Sequence, residues 1–571
     1  MKSRTVTNQF SISGQITADD VSKLAAAGVE LLVCNRPDAE AAQQPPFTEI
    51  AAAASEAGIE SRLISFKSGA MTPAHVNEFA KLLESGKRIH AYCRTGNRSF
   101  CLYAAAFASG GGAKSEITAL AQEVGFDISA AVSPYYSANA MTVQQTSAPS
   151  NSVGAGGAKQ SYNVVIVGAG SGGIAIAASL LKRNNKLRIA LLDPAGQHFY
   201  QPGWTMVGGG VFTASSTRRQ MSDLIPNGVT WIKQAVTGFQ PDVDEVTLAN
   251  GDQIHYQQLV VCPGLVLDWD AVEGLKETLG ENGVTSNYAY DLAPYTWELV
   301  QGLKKGKAIF TQPPMPIKCA GAPQKAMYLS CDHWLKQGVL NNIDVNFFNA
   351  GAVLFGVAAY VPALQSYIDR YSANLHFNHN LVKIDGKTRT AYFKDVKAGE
   401  DSELVAAEFD MMHVCPPQRA PQFVADSELS DDGGWLDVDQ FTLRHKRFGN
   451  IWGLGDVMNA PNAKTMAAVR KQVPIVAENL VAVLAGKEPA FGYDGYGSCP
   501  LTVERGKIVL AEFGYGGKLL PSFPGWMLEG TRPTRAAWTL KADVLPGIYW
   551  HAMLKGREWL AAPKRLEDVV V

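Results

Sequence analysis

The chain has 571 residues, 46% of them apolar, enough for three to five structural units with sizeable buried cores. Its 51 Lys and Arg nearly balance 53 Asp and Glu, for a net charge of −2, which excludes the basic field that a nucleic-acid partner requires. No run of ~18 consecutive apolar residues occurs, so no membrane-spanning helix is expected.

The first residues, MKSRTVTNQFSISGQ, lack the apolar stretch of a secretory leader. Residues 1–135 then alternate apolar runs with helical stretches. ELLVCN (30–35), RLISF (62–66) and RIHAYC (88–93) predict strands and PAHVNEFAKLL (73–83) a helix, a small α/β domain with a parallel sheet. RIHAYCRTGNRS sets Cys93 at a strand end, ahead of a helix. Its loop would wrap backbone N–H groups around the sulfur, and Arg94 and Arg98 add positive charge, which lowers a thiol pKa and builds an anion site. Protein tyrosine phosphatases place five residues between Cys and Arg in such a loop. Here four residues, Arg94 to Asn97, separate Cys93 from Arg98, which resembles the rhodanese sulfurtransferase loop CRxGxR[ST]. The rest of the domain resembles the small phosphatase-like domains found beside sulfur-metabolising enzymes. FKSGAMTPA (66–74) offers no Asp as general acid, so persulfide transfer is favoured over phosphate ester cleavage, with an inert Cys93 as the remaining alternative.

The segment 136–160, rich in Ser, Ala, Gly and Gln, reads as a flexible linker. A larger α/β body, 161–490, opens with YNVVIVGAGSGGIAIAASLLKR (162–183). An apolar strand feeds Gly168-x-Gly170-x-x-Gly173 and an amphipathic helix, and the next strand, RIALLD, ends at Asp193, twenty residues past the third glycine. The glycines permit a tight turn and close approach to a pyrophosphate on the helix N-terminus, and the acid can accept from the adenosine ribose. YQQLVVCPG (256–264), ending at Gly264, and FGNIWGLGDV (448–457), with Asp456, resemble elements of flavin disulfide reductases and favour FAD over NAD. The fold class is therefore α/β, a two-dinucleotide-binding flavoprotein of the disulfide-reductase type.

A second glycine fingerprint is missing between 303 and 360. The strand-like KAIFTQ runs instead into PPMPIKCAGAPQK, whose prolines spoil a cradle, so a nicotinamide donor is not expected. Cys319 stands in that turn, before a helix and beside Lys318, where a thiolate could exchange with a disulfide near a flavin. Taken alone, it reads first as a small buried apolar residue. No cysteine pair here forms CxxC or a zinc-like cluster; no metal site is expected, and any disulfide would be catalytic in a reducing compartment.

YDGYGSCPLTVERGKIVLAEF (493–513) places Cys499 between a small-residue turn and Pro500. Here the chain closely resembles sulfide:quinone oxidoreductase of the mitochondrial-type branch. HFYQPGWTMVGGG (198–210), PIKCAGAPQKAMYLS (316–330), GGWLDVD (433–439), NAKTMAAV (462–469) and YGSCPLTVERGKIVLAEF (496–513) carry the resemblance, which covers about 162–560. It implies that Cys319 and Cys499 form a disulfide or sulfur-bridged pair over the flavin. By the same resemblance, sulfide would attack Cys499, which would become the persulfide, and Cys319 would be released as the thiolate that engages the flavin. The resemblance further implies that electrons pass to ubiquinone or another quinone, and that glutathione, sulfite or a similar acceptor takes the sulfur. It implies FAD contacts at Gly168, Gly170, Gly173, Asp193, Gln201, Val236, Gly264, Asp456, Lys464, Thr465 and Ala467. Cys93 would relay sulfur from Cys499 to the acceptor, at the effective concentration its linker provides. Cys331 gets no role, and Cys262 and Cys415, at apolar strand ends, read as buried and inert.

Residues 491–571 form a C-terminal redox-cysteine and membrane-association region. Trp538, Trp550 and Trp559 could sit at headgroup level with Arg535, Lys541, Lys555 and Arg557 near anionic lipid; a helix packed on the core is the alternative. The family resemblance favours a monotopic membrane element, and the domain order suggests the cytoplasmic face of a bacterial inner membrane. A homo-oligomer is compatible with the sequence. The rival readings are a type 2 NADH:quinone dehydrogenase, which needs the missing cradle, and a redox sensor that keeps FAD without turnover.

Overall fold

The computed structural model describes residues 160–398 and 403–570, and 3–132 apart from 8, 39, 41–43, 67–70, 111–116, 118–119, 122–127 and 129–130. The linker expected at 136–160 lies outside the described residues except for Gln160. The chain divides into two compact units, Met1–Ala155 and Gly156–Val571, so the body and the C-terminal region belong to one unit.

The first unit holds a five-stranded sheet. Strands Phe10–Ser13, Ile89–Tyr92, Leu31–Cys34 and Glu60–Leu63 are neighbours in that order and parallel, and Ser3–Thr5 adds an antiparallel edge. Helix Pro73–Leu83 has its expected bounds because Thr72 caps it, accepting from His75 N at 3.4 Å, and Pro73 starts it without losing a hydrogen bond.

In the second unit, VVIV (164–167) is apolar throughout because that end of strand Gln160–Val167 is buried on both faces, between parallel strands Ile189–Leu192 and Gln253–Val261. Strand Ile451–Gly453 joins the same sheet, parallel to Gln253–Val261, and delivers Asp456 to the strand ends beside the fingerprint turn. A second sheet orders Val284–Thr285, Met411–His413, Gly306–Gln312, Ile343–Asn349 and Asn374–Phe377, all parallel. The two-sheet flavoprotein architecture is thus complete although its second glycine fingerprint is absent. Strand Gly306–Gln312 runs into the Cys319 turn and then helix Ala322–Lys336. Cys499 lies on an antiparallel hairpin, Gly497–Glu504 with Lys507–Phe513.

The C-terminal segment departs from expectation. Helix Leu545–His551 turns Trp550 inward, where it is 7% exposed and meets the rings of Tyr549, Tyr200 and His198, so it is not at a lipid surface. Lys541 is also buried, at 4%, and donates to Pro202 O at 3.3 Å. The three ring partners give Trp550 a buried alternative to the interface. Trp538 is half-buried, while Trp559, Arg535, Lys555 and Arg557 are exposed. Among the described residues no helix is long and apolar enough to cross a membrane.

Candidate active site

The glycines of the fingerprint do different work. Gly168 has φ +98°, and a Cβ there would lie 2.7 Å from Cys262 O and Pro263 Cα, so the turn must pass against that strand end. A Cβ on Gly173 would come within 1.8 Å of Gly168 O, so the helix starts hard against the turn. Gly170 faces open space and lines a cavity of about 330 Å³ into which the N-terminus of helix Ser171–Arg183 points. Gln201, Gly264, Asp456, Lys464, Thr465 and Ala467 line the same cavity, with Cys319 and Lys325. Trp204 and Asn287 also line it, and the Asn287 amide packs against Gly208, where a Cβ would lie 2.0 Å from its Oδ1. An adenine dinucleotide flavin, FAD, fits this combination of open helix end and glycine cradle, where Gly170 has no side chain to block a pyrophosphate.

Two expected contacts sit elsewhere. Val236 is 7% exposed in strand Val236–Gln240, at the edge of the first sheet and within its apolar core rather than on the cavity wall. Asp193 accepts from Ala169 N at 2.6 Å and Ala195 N at 2.8 Å, so its carboxylate braces the fingerprint turn from behind. Burial raises its pKa, against those two amides.

The cations around the cavity are unusually buried. Lys464 Nζ donates to Asp456 O at 2.7 Å and Met458 O at 2.6 Å, and burial brings its pKa down to about 8. Lys318 donates to Gln201 Oε1 at 2.6 Å, and burial lowers it as well. Burial raises the Asp456 carboxyl, with Lys464 and Lys318 opposing.

Cys319 and Cys499 are 180 residues apart in sequence, and their sulfurs are 3.7 Å apart. Cys319 adopts φ +50°, a left-handed geometry that costs a non-glycine residue about 1–2 kcal/mol. Its N–H donates to Lys464 O at 2.8 Å and its carbonyl accepts from Ala322 N at 2.7 Å, which hold the turn. Lys325, one turn into the helix and 2% exposed, donates to Cys319 Sγ at 3.0 Å and approaches Cys499 Sγ at 3.8 Å. The Cys319 thiol is held well below its ordinary pKa, first by the hydrogen bond from Cys499 and then by Lys325, with burial opposing; Cys499 is pushed well above. For Lys325, burial works against the charge, but the two sulfurs outweigh it and its pKa is raised. Of the two sulfurs, Cys319 is therefore the one whose negative charge this site favours. Gly321 is required because a Cβ there would lie 2.6 Å from Cys499 Sγ.

Lys325 and Lys541 were not legible as site residues. Lys325 lies inside PIKCAGAPQK but has no spacing signal, and Lys541 comes from the C-terminal segment, where burial lowers its pKa to about 8 against the attraction of the two cysteines. The same segment buttresses the cradle: His198 joins Tyr549 Oη at 2.5 Å and Ala169 O at 3.3 Å, and Tyr549 Oη joins Ser171 Oγ at 2.7 Å. Cys331 and Cys262 are buried thiols raised by burial, as is Cys415, which packs with Tyr288 and Cys319.

In the first unit, Cys93 is 1% exposed at the end of strand Ile89–Tyr92, and Gly96 N donates to its sulfur at 3.2 Å. Arg94 is exposed. Arg98 departs from the expected arrangement: it donates to Phe66 O at 2.8 Å and to Glu40 Oε2 at 2.6 Å, and Glu40 also accepts from Arg36 Nε at 2.8 Å. Its charge is shared with a carboxylate rather than left to the loop. Burial raises Glu40, but the two guanidiniums prevail and hold it below the usual carboxylate range.

Comparison with known proteins agrees with both units. Residues 2–110 match the family described as Beta-lactamase hydrolase-like protein, phosphatase-like domain, and residues 162–294 match Pyridine nucleotide-disulphide oxidoreductase. The chain is 41% identical to the mitochondrial sulfide:quinone oxidoreductase of Dictyostelium discoideum over 402 residues, 70% of this chain and 87% of the relative. It is 36% identical to the mitochondrial sulfide:quinone oxidoreductase of Mus musculus, over 70% of this chain and 88% of the relative. The crystal structure of the sulfide:quinone oxidoreductase from Aquifex aeolicus shares the fold, with a TM-score of 0.60 at 17% identity over 72% of this chain and 98% of that one. The two mitochondrial relatives lend no support to the expected bacterial cytoplasmic face. With its fingerprint cradle, its paired cysteines and these likenesses, the chain belongs to the sulfide:quinone oxidoreductase family, joined at its N-terminus to a phosphatase-like domain of the beta-lactamase hydrolase-like type.

Proposed function

We propose that this chain oxidises sulfide at the Cys319–Cys499 pair and delivers the electrons to a quinone. The observation that carries the reading is the 3.7 Å separation of the two sulfurs with the Lys325 ammonium against both. A disulfide closes this gap with a small movement, and a single bridging sulfur spans about 3.3 Å with S–S bonds of about 2.05 Å. Hydrosulfide attacks Cys499 Sγ; the bond to Cys319 breaks, Cys499 carries the persulfide, and Cys319 leaves as a thiolate. Lys325 stabilises that leaving group, and Lys541 adds a second cation to the same chamber. An external thiolate or sulfite then removes the outer sulfur, freeing the Cys499 thiolate, and closing the Cys319–Cys499 bond again releases two electrons.

FAD, which Gly168, Gly170 and Gly173 would hold with Lys464 and Thr465 lining the same cavity, would supply the two-electron carrier between sulfur and quinone. Asp456 and Lys318 fix the polarity of that cavity's wall. The apolar, exposed residues Trp526 (87%), Trp559 (55%) and Leu560 (42%) support a membrane surface as the place where quinone is met. Cys93, cradled by the Gly96 N–H, supports a sulfurtransferase role for the N-terminal unit, which accepts sulfane sulfur and passes it to glutathione or a similar thiol.

The test is to treat the oxidised protein with one equivalent of sulfide under anaerobic conditions and map the added sulfur by peptide mass. A 32 Da increment (one sulfur) on the Cys499 peptide supports the reading. An increment on neither cysteine removes it.

A further inference from the structure

The hairpin that carries Cys499 has two faces. Side chains alternate along a strand, so Cys499 and its register partner Ala511 face one way, whereas Ser498 and its partner Glu512 face the other. Ser498, Pro500, Leu510 and Glu512 all line the cavity, next to apolar walls from Phe523, Leu540 and Trp559. Glu512 is 5% exposed, yet among the described residues its carboxylate is met by no cation: Oε1 accepts from Tyr496 Oη at 2.6 Å and Oε2 from Ser522 N at 3.1 Å. Tyr496 Oη also lies 3.1 Å from Ser522 Oγ. A buried carboxylate without an ion-pair partner is costly in a purely structural role, and this one lines the cavity with its oxygens held by a hydroxyl and an amide.

We propose that Glu512 hands a proton to the quinone reduced in this cavity. This inference rests on the quinone reading above. A quinone becomes a quinol by taking two electrons and two protons. The electrons originate at the sulfur pair on the opposite face of the hairpin. Glu512, protonated from water, gives its proton to a quinone oxygen. The carboxylate that remains is held by the Tyr496 hydroxyl and the Ser522 N–H until water returns the proton; the second proton follows the same route. The other titratable and charged groups around it are Tyr496 itself, Lys471 with its ammonium 5.3 Å from the Tyr496 ring, Arg470, Tyr360, whose hydroxyl accepts from Glu512 N at 3.0 Å, and Glu529. Burial first, and Glu512 next, keep the Tyr496 phenol protonated as the donor.

The experiment uses the full chain with bound FAD, reduced anaerobically by sulfide and mixed in a stopped-flow instrument with a short-chain ubiquinone or with ferricyanide, which takes electrons without protons. Glu512→Gln should slow flavin reoxidation by ubiquinone by at least about tenfold. Reoxidation by ferricyanide should match the wild type. Reoxidation of Glu512→Gln by ubiquinone at the wild-type rate overturns the proposal, and so does equal slowing with both acceptors. If the wild type reacts with ferricyanide but not with ubiquinone, the quinone reading itself falls.

Discussion

Replacing Lys325 by Met removes one charge from the sulfur chamber while nearly keeping the side-chain volume. The ammonium is 3.0 Å from Cys319 Sγ and 2% exposed, so its attraction for the thiolate is little screened by water. At an effective dielectric of about 20, a pair this close interacts by about 5 kcal/mol. Most of that offsets the burial of the lysine, and a charge-assisted hydrogen bond contributes about 1.5–3 kcal/mol net. With about 1.36 kcal/mol per pKa unit, the Cys319 thiol should rise by roughly one to two. Cys319 then becomes a poorer leaving group, and flavin bleaching by sulfide should slow by about 10–100-fold near neutral pH. The assay is anaerobic stopped-flow reduction across a pH series. The rate should recover partly in alkali as Cys319 ionises without help. A Lys325→Met protein that bleaches at the wild-type rate, with an unshifted profile, would refute the assignment of Lys325 as the thiolate's partner.

Gly173→Ala should abolish FAD binding, read as flavin absorbance per protein, because the new Cβ would meet Gly168 O at 1.8 Å. Lys541 tests the pH dependence of stability. Its folded pKa of about 8 lies below the ordinary 10.5, so its burial penalty is complete below pH 8 and is relieved as pH rises toward 10.5. Lys541→Met should therefore raise the unfolding midpoint of the FAD-loaded protein most at neutral pH and least in strong alkali; a gain that grows with pH would contradict this sign. Cys93→Ser in the full chain should eliminate sulfur transfer from thiosulfate to a thiol while sparing flavin bleaching by sulfide. Turnover of an aryl phosphate that depends on Cys93 would favour the phosphatase reading instead.

The cradle was legible in sequence because its requirements are local: three glycines, the strand before them and the helix after them all fall within 162–183. Helix Pro73–Leu83 was legible for the same reason, since Thr72 and Pro73 mark its start. Cys319 and Cys499 could be paired only through a family likeness, because the contact between them closes over 180 residues. From their amphipathic surroundings Lys541 and Trp550 read as lipid-facing, with packing on the core as the alternative. The fold turns them inward: Trp550 joins a ring cluster, and Lys541 is buried at a net cost to its charge. Arg98 shows the same failing on a smaller scale: the loop pattern located it, but its partner Glu40 stands 58 residues away, in a segment that carried no signal of its own. The parallel second sheet was obscured because its fingerprint turn is given over to Cys319, leaving the apolar strands Gly306–Gln312 and Ile343–Asn349 as its visible trace.

The central claim is that electrons reach the flavin through the cysteine pair. The most direct measurement is the flavin absorbance spectrum of the wild type, Cys319→Ala and Cys499→Ala, each titrated anaerobically with sulfide and separately with NADH. The account predicts that sulfide bleaches the wild type, that neither variant responds, and that NADH leaves all three unchanged. Bleaching by NADH, with sulfide inert toward the wild type, would contradict it.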